Sequence, residues 1–356
     1  MPAFNAAAHL RQAIDSVLSQ SWRDFELLVV DDGSTDETAA ILAGYHDPRI
    51  RVERFDRNRG LSAALNHGLN VASAGLVARL DADDVARADR LDRQLAAFNA
   101  NPDLVLLGSQ ARAIDAAGRV VGTVQRPIAT VSIHWYALLD NPFIHSAVMF
   151  KRSLAIAAGG YEAEFDPFSQ DLALWWKLMA QGTTANLPDC LVDYRVNPES
   201  IIGRLDDPSD RDYRERFRSA ALRLISRHTM AAYASRGLTT DDARVLAGFA
   251  SGVDAAELDR FLALFVGMLR WFEADHPGAA NDPDMQATLA RQFDAVAYRV
   301  RPATRRSTLA IYRRAMRELP MAGAVSWRRM AAMLLFGLRG RARLARVASQ
   351  LRSRQA

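Results

Sequence analysis

In its first half the chain alternates short apolar runs with stretches of helical periodicity. Phe25 to Val30 is a continuous apolar run that stops abruptly at Asp31-Asp32-Gly33, as a buried strand would. Ser34 and Glu37 have capping-box spacing and predict a helix running towards Gly44. Ile50 to Phe55 alternates as a strand, and Leu61 to Ala72 has the spacing of an amphipathic helix. Leu76 to Leu80 predicts another strand, closed by Asp81-Ala82-Asp83-Asp84, and Arg90 to Phe98 a helix. Strands follow at Leu104–Leu107, at Phe143–Phe150 and at Cys190–Val196, with a turn at Ala117-Gly118 and a helix from about Asp171 to Gln181. This βαβα order predicts an α/β domain with a mainly parallel sheet and helices on its faces. In such sheets ligands sit beyond the carboxyl ends of the strands. Both acidic clusters fall at strand ends.

After Asn197-Pro198-Glu199 the strand signals stop, and from about Asp210 the pattern is helical, broken by Gly237, Pro277, Pro302 and Pro320. The expected division is a domain over 1–205 and an all-helical C-terminal region over 206–356. Hydrophobic residues make up 49% and charged residues 24%, which excludes a disordered or collagen-like chain. The one cysteine, Cys190, excludes a disulfide framework and a cysteine-rich zinc module. With no run of 18 or more apolar residues and no basic start followed by an apolar run, the expected location is cytoplasmic.

The net charge of +4 is unevenly spread. From Arg299 onwards there are 15 arginines against one acid, Glu318, so this tail carries +14 and residues 1–298 carry −10. In Trp327–Arg354, Met330, Met333, Leu334, Leu338, Leu344 and Val347 are interleaved with eight arginines. A basic amphipathic stretch with tryptophan near its start fits an interfacial helix on an anionic membrane. The expected location therefore extends to a peripheral position on the cytoplasmic face of the inner membrane. A solvated face of a helical bundle is the alternative. Nucleic acid is not the expected partner, because aromatic interleaving is sparse.

Three groups of acids carry the candidate chemistry. Asp81 and Asp83 can turn to one side of their strand end, and crowded carboxylates call for a hard cation such as Mg²⁺ or Mn²⁺. Taken alone, the cluster is equally an acidic turn capping the next helix. Asp31 and Asp32 are placed to accept from a base or a ribose, or to complement the following helix. Asn58-Arg59-Gly60 opens a helix where backbone N–H groups meet an anion, or simply begins that helix. Asp171 stands in the first turn of its helix, either as a dipole-complementing acid or as a general base. No G-x-G-x-x-G or Walker A pattern is present.

Pro2-Ala3-Phe4-Asn5, Val29-Val30-Asp31-Asp32-Gly33-Ser34-Thr35-Asp36, Asn58-Arg59-Gly60-Leu61-Ser62-Ala63-Ala64-Leu65-Asn66, Leu80-Asp81-Ala82-Asp83-Asp84 and Gln170-Asp171, in this order, resemble the motifs of family 2 glycosyltransferases. The resemblance covers about residues 1–200 and implies a GT-A fold. It places Pro2, Phe4, Asn5, Asp31, Asp32, Asn58, Gly60, Asn66 and Asp81 around the nucleotide. Phe4 and Asp32 would meet the base, Asp31 would support their loop, and Asp81 would lie near the ribose. Asp83 and Asp84 would hold Mg²⁺ or Mn²⁺, and Asp171 would be the base of an inverting transfer. His145, Gln170 and Trp175 fall on the acceptor side, although a packed histidine is the commoner fate of His145. The implied reaction moves a sugar from a nucleotide donor, UDP favoured, to a glycan or lipid-linked acceptor in polysaccharide synthesis. A nucleotide-sugar-binding homologue without turnover is the alternative, with an anionic-polymer binder behind it.

The chain departs from the family in four places. Met1 directly precedes Pro2 where the family has an apolar strand, which implies a start upstream of Met1 or a domain without its first strand. Gln170 replaces an acid. Tyr194-Arg195-Val196-Asn197 lacks the histidine of Tyr-Arg-x-His. Ala88-Asp89-Arg90-Leu91 replaces Pro-Asp-Arg-Leu.

Overall fold

The computed structural model describes residues 1–166, 168–196, 211–251 and 257–299. The Trp327–Arg354 stretch and Asn197 lie outside these, as does the expected domain boundary at 205. Strand β1 (Pro2–Ala3) leads through α1 (Leu10–Leu18) to β2 (Leu27–Asp31), α2 (Thr38–Ala43) and β3 (Ile50–Arg54). Then come α3 (Leu61–Val71), β4 (Leu76–Ala78), β5 (Val85–Ala86), α4 (Arg90–Ala100), β6 (Leu104–Ile114) and β7 (Val120–Val124). Helix α5 (Thr130–Ala137), β8 (Met149–Lys151), α6 (Arg152–Ala157), α7 (Gln170–Met179) and β9 (Thr183–Arg195) complete the α/β part. The described helices beyond it are α8 (Arg211–Tyr233), α9 (Thr240–Ser251), α10 (Leu258–Asp275) and α11 (Pro283–Arg299).

The architecture is a mixed α/β core followed by helices. Strands β1-β2-β3 form a parallel sheet, as the βαβα rhythm predicts. The second sheet, ordered β4-β8-β6-β9-β5 with β7 on β6, is mixed: only β6 and β9 pair in parallel. The expectation of a mainly parallel sheet therefore holds for the first sheet and fails for the second. Periodicity marks a strand but not its direction, and hairpins such as β6–β7 reverse the chain without a helix. The Asp115–Gly118 turn of that hairpin is where Ala117-Gly118 placed it.

Where the family has a first apolar strand, Pro2 and Ala3 pair with Val30 and Asp31. The Met1 ammonium donates to the Leu28 carbonyl at 2.8 Å, and burial pushes its pKa down to about 5. The predicted capping box does not form. Ser34 Oγ accepts the Asn5 N–H at 3.0 Å, and α2 begins only at Thr38. Phe143–Phe150 is likewise not one strand, because a 3-10 turn, His145–Ala147, precedes β8.

Apolar faces close the core around these elements. Val105, Leu106, Phe143, Val148, Phe150, Leu174 and Trp175 pack together, with α7 against the β6–β8 sheet. Leu10, Ile14, Val29 and Ile41 pack α1 and α2 on β2. A buried arginine locks the second sheet to α4. Arg90, 2% exposed, donates through Nη2 to the Arg79 carbonyl at 2.7 Å and the Val148 carbonyl at 3.1 Å, and through Nε to Gln94. Burial and the neighbouring Arg79 both disfavour its charge. An Arg90→Leu substitution takes the side-chain donor from the Arg79 carbonyl and leaves the Val148 carbonyl only the Arg79 N–H. It is expected to cost on the order of 3 kcal/mol of stability, readable as an earlier midpoint in chemical denaturation.

The chain divides into two compact units: Met1–Ala137 with Asn141–Leu224, and a second that starts at Ile225 and takes in Leu138–Asp140. In the second unit Phe261, Leu262, Phe265, Met268 and Leu269 form the buried stripe of α10, and Val245, Leu246, Met285 and Leu289 are buried on α9 and α11. No helix among the described residues is long and apolar enough to cross a membrane.

Candidate active site

The site is built at the ends of β2 and β4, where both acidic clusters emerge. At the end of β2, Asp31 is wholly buried. Its Oδ1 accepts the Ser34 N–H at 2.9 Å, and its Oδ2 pairs with Arg54 Nε at 3.2 Å. Both oxygens of Asp31 are thus engaged within the protein, one on the Ser34 N–H and one on Arg54. Gly33 has φ +72°, and a Cβ there would stand 2.5 Å from the Arg57 carbonyl carbon, so only glycine lets the two loops meet. Asp32 closes that junction: its oxygens accept the N–H groups of Arg59 at 2.7 Å and Gly60 at 3.0 Å. Any base contact by Asp32 must share its carboxylate with this turn.

Asn5, itself at φ +48°, accepts the Thr35 N–H through Oδ1 at 2.9 Å. Pro2 is buried in β1. Phe4, between these two residues, is 47% exposed.

At the start of α3, protein groups already take three N–H groups. Asp32 takes those of Arg59 and Gly60, Asn58 Oδ1 also reaches Gly60 N–H at 3.2 Å, and Asp166 Oδ2 takes that of Ser62 at 3.1 Å. Gly60, at φ +94°, has Asp166 Oδ2 in the space a Cβ would fill. Asn66 was expected at the nucleotide, but both ends of its amide are spent on Tyr161: Oδ1 accepts Tyr161 N–H at 2.8 Å and Nδ2 donates to its carbonyl at 2.9 Å. It is a clamp on the Gly160-Tyr161 backbone. Asp166 and Tyr161, about 100 residues downstream, carry no sequence signal for these contacts.

The second cluster lies in the loop between β4 and β5. That loop folds back because β5 pairs with β9, Val85 opposite Asp193. Ligand oxygens of Asp81, Asp83 and Asp84 come within 4.8 Å of one another. Their environments differ. Burial alone would raise the Asp81 pKa, but the Arg79 guanidinium paired with it outweighs burial and holds it at about 2. Ser146 completes this pair: its Oγ donates to Asp81 Oδ2 at 2.8 Å and accepts from Arg79 Nη1 and the Asp81 N–H. Asp83 is pushed up to about 6 by burial and by the Asp81 charge. Asp84, 1% exposed, is raised well above the usual carboxylate range by burial, then by Asp81 and Asp83. Its Oδ1 accepts the Arg195 N–H at 2.7 Å, and its Oδ2 is buried without a partner. Two carboxyls that burial makes reluctant to ionise, one with an orphaned oxygen, suit a hard cation between them. The donor set fits Mg²⁺ or Mn²⁺.

Asp171, in the first turn of α7, lies within electrostatic reach of Arg79, the partner of Asp81. Its Oδ2 accepts Asn141 Nδ2 at 2.6 Å and its Oδ1 accepts the Leu172 N–H at 2.8 Å. Burial raises its pKa in spite of these bonds and of nearby Arg79. His145 is packed, with Nε2 3.2 Å from the Tyr161 hydroxyl and its ring edge-on to Trp175. Burial lowers its pKa well below the usual imidazole value, so it is neutral. Trp175 and Gln170 do not line an acceptor cleft. Trp175 is 0% exposed inside the Phe143–Phe150–Tyr161 cluster, and Gln170 is 3% exposed. Trp176 is buried as well, and its Nε1 donates to the Ala137 carbonyl at 3.0 Å.

Comparison with known proteins gives this arrangement its family. The Glycosyl transferase family 2 model matches residues 1–156. The amylovoran biosynthesis glycosyltransferase AmsE of Erwinia amylovora is 30% identical over 200 residues, covering 55% of this chain and 74% of the relative. The chain belongs to glycosyl transferase family 2. The Escherichia coli UDP-Gal:alpha-D-GlcNAc-diphosphoundecaprenol beta-1,3-galactosyltransferase is 31% identical over 198 residues, covering 55% of this chain and 71% of the relative. S. aureus TarS 1-349, in its structure with UDP-GlcNAc, superposes with a TM-score of 0.52 at 17% identity, over 90% of this chain and 88% of that one. That likeness bears on the fold, which is GT-A-like through the α/β core and helical after it. The chain is thus a glycosyltransferase with an acidic cluster suited to a divalent cation.

Proposed function

We propose that this glycosyltransferase moves a sugar from a nucleoside-diphosphate donor, a UDP-sugar first, to a hydroxyl of a glycan or lipid-linked acceptor in surface-polysaccharide synthesis. The convergence of Asp81, Asp83 and Asp84, with Asp84 Oδ2 buried and unpartnered, carries the reading. Relatives whose names specify amylovoran biosynthesis and a UDP-Gal donor with a diphosphoundecaprenol-linked acceptor support the donor and acceptor classes.

Asp83 and Asp84 would hold the cation, with Asp81 kept anionic beside them by Arg79 and Ser146. A bound Mg²⁺ or Mn²⁺ supplies charge neutralisation for the departing diphosphate. Phe4 offers an exposed ring to the base, and the Asp31–Asp32 loops shape the pocket behind it. Asp171 takes the proton of the acceptor hydroxyl. Its raised pKa makes it a stronger base than an exposed carboxylate, and Asn141 orients it. One base and one displacement give inversion at the anomeric carbon. The Arg-rich Trp327–Arg354 stretch would keep the enzyme at the anionic cytoplasmic face of the inner membrane, near a lipid-linked acceptor.

The test is calorimetric titration of UDP, GDP and dTDP into the purified chain, with Mn²⁺ and then with EDTA. The expected result is Mn²⁺-dependent binding of UDP, abolished by EDTA. Silence from all three nucleotides overturns the reading, and a preference for GDP or dTDP moves it to another donor.

A further inference from the structure

Arg195 is the last residue of β9 and is 2% exposed, yet among the described residues no carboxylate takes a hydrogen bond from its guanidinium. Its donors go to neutral oxygens on three separate segments. Nε donates to the Asp83 carbonyl at 2.8 Å. Nη1 donates to the carbonyls of Asp115 and Ala116 at 2.8 and 3.2 Å, and Nη2 to Gln12 Oε1 at 2.7 Å. Its backbone N–H, at the same time, donates to Asp84 Oδ1 at 2.7 Å. One residue thus holds the main chain of Asp83 and the side chain of Asp84.

The consequence for Asp84 is specific. With Oδ1 anchored on Arg195, its carboxylate plane is set, and Oδ2 is left buried and without a partner in the cluster. For Asp83 the anchored carbonyl sets the turn from which its carboxylate projects. A planar fork that reaches the β6–β7 turn, α1 and the acid loop together cannot be replaced by the single ammonium of lysine.

We infer that Arg195 is a positioning residue for the divalent-cation site: it aims Asp83 and Asp84 at a common point. It neither ligates the cation nor touches the nucleotide. This inference rests on the proposed cation-dependent donor site. Groups that orient ligands from behind change metal affinity by about 10- to 100-fold when replaced.

The experiment measures the Mn²⁺ concentration for half-maximal UDP binding in wild type, Arg195→Lys, Gln12→Leu and Asp83→Ala, alongside uridine binding in EDTA by saturation-transfer NMR. Arg195→Lys is expected to raise the Mn²⁺ midpoint about tenfold and to leave uridine binding unchanged. Gln12 is exposed and its replacement removes one acceptor only, so Gln12→Leu keeps the fold and is expected to shift the midpoint in the same direction by less. Unshifted midpoints in both variants, with wild type dependent on Mn²⁺, overturn the inference. Parallel loss of uridine binding and of the Mn²⁺ response in Gln12→Leu also overturns it, because it marks a general structural role. A wild type indifferent to Mn²⁺ or to Asp83→Ala instead removes the cation site beneath it.

Discussion

Asp171→Asn is expected to lower sugar transfer by roughly a hundred- to ten-thousand-fold and to leave nucleotide binding unchanged. The amide keeps the shape of the group and one acceptor oxygen, so it retains one of the two bonds donated by Asn141 and Leu172, yet it cannot take a proton. Single-turnover transfer and UDP calorimetry on the same preparation separate the two effects. An equal loss in both would remove Asp171 from the role of base. The wild-type rate carries a second signature. Because burial raises the Asp171 pKa, the unprotonated base is lost on acidification at a pH above the usual carboxylate range, and the acid limb of the rate profile sits correspondingly high.

The sign for stability is the reverse. A carboxyl whose folded pKa is raised favours folding while protonated, and that contribution is lost as pH rises through the folded value. Near neutral pH the ionised Asp171 therefore opposes folding, so the Asn variant should melt at a higher temperature than wild type. The difference should vanish below the ordinary carboxylate pKa, where both side chains are neutral. A variant more stable and less active is the expected pattern for a residue kept for chemistry.

Asp83→Ala is expected to abolish Mn²⁺-dependent nucleotide binding and to reduce transfer by on the order of a hundredfold or more, the usual cost of losing an electrostatic stabiliser of the leaving group. Asp81 cannot take over, since Arg79 and Ser146 hold its carboxylate, and Asp84 has one oxygen committed to Arg195. Excess Mn²⁺ should restore little of the loss. Binding that survives the substitution with its Mn²⁺ response intact would place the cation elsewhere. The variant is expected to fold, because removing one of three crowded carboxyls relieves repulsion that already pushes Asp83 up to about 6.

What the chain alone determined is the rhythm of apolar runs and the acids that end them. β2, β3, α3, α4 and α7 formed where the periodicity placed them, because each buries a face whose spacing is local. The acids that follow β2 and β4 were legible because each group directly ends an apolar run of the sequence, Phe25–Val30 and Leu76–Leu80. Family membership followed from the order of those motifs.

Tertiary structure decided the rest, and in each case through a contact between residues far apart in sequence. Asn66 turned from ligand to clamp because Tyr161 presents both backbone groups to its amide. Trp175 went into the core because β6, β8 and α7 close around it. Ser146 and Arg79 make Asp81 the most readily ionised member of its cluster, whereas burial leaves Asp83 and Asp84 reluctant to ionise. A string of carboxylates gives only the ligand types. Which one is paired, which is orphaned and which is aimed depends on desolvation and on partners such as Arg195, and both exist only once the strands have paired.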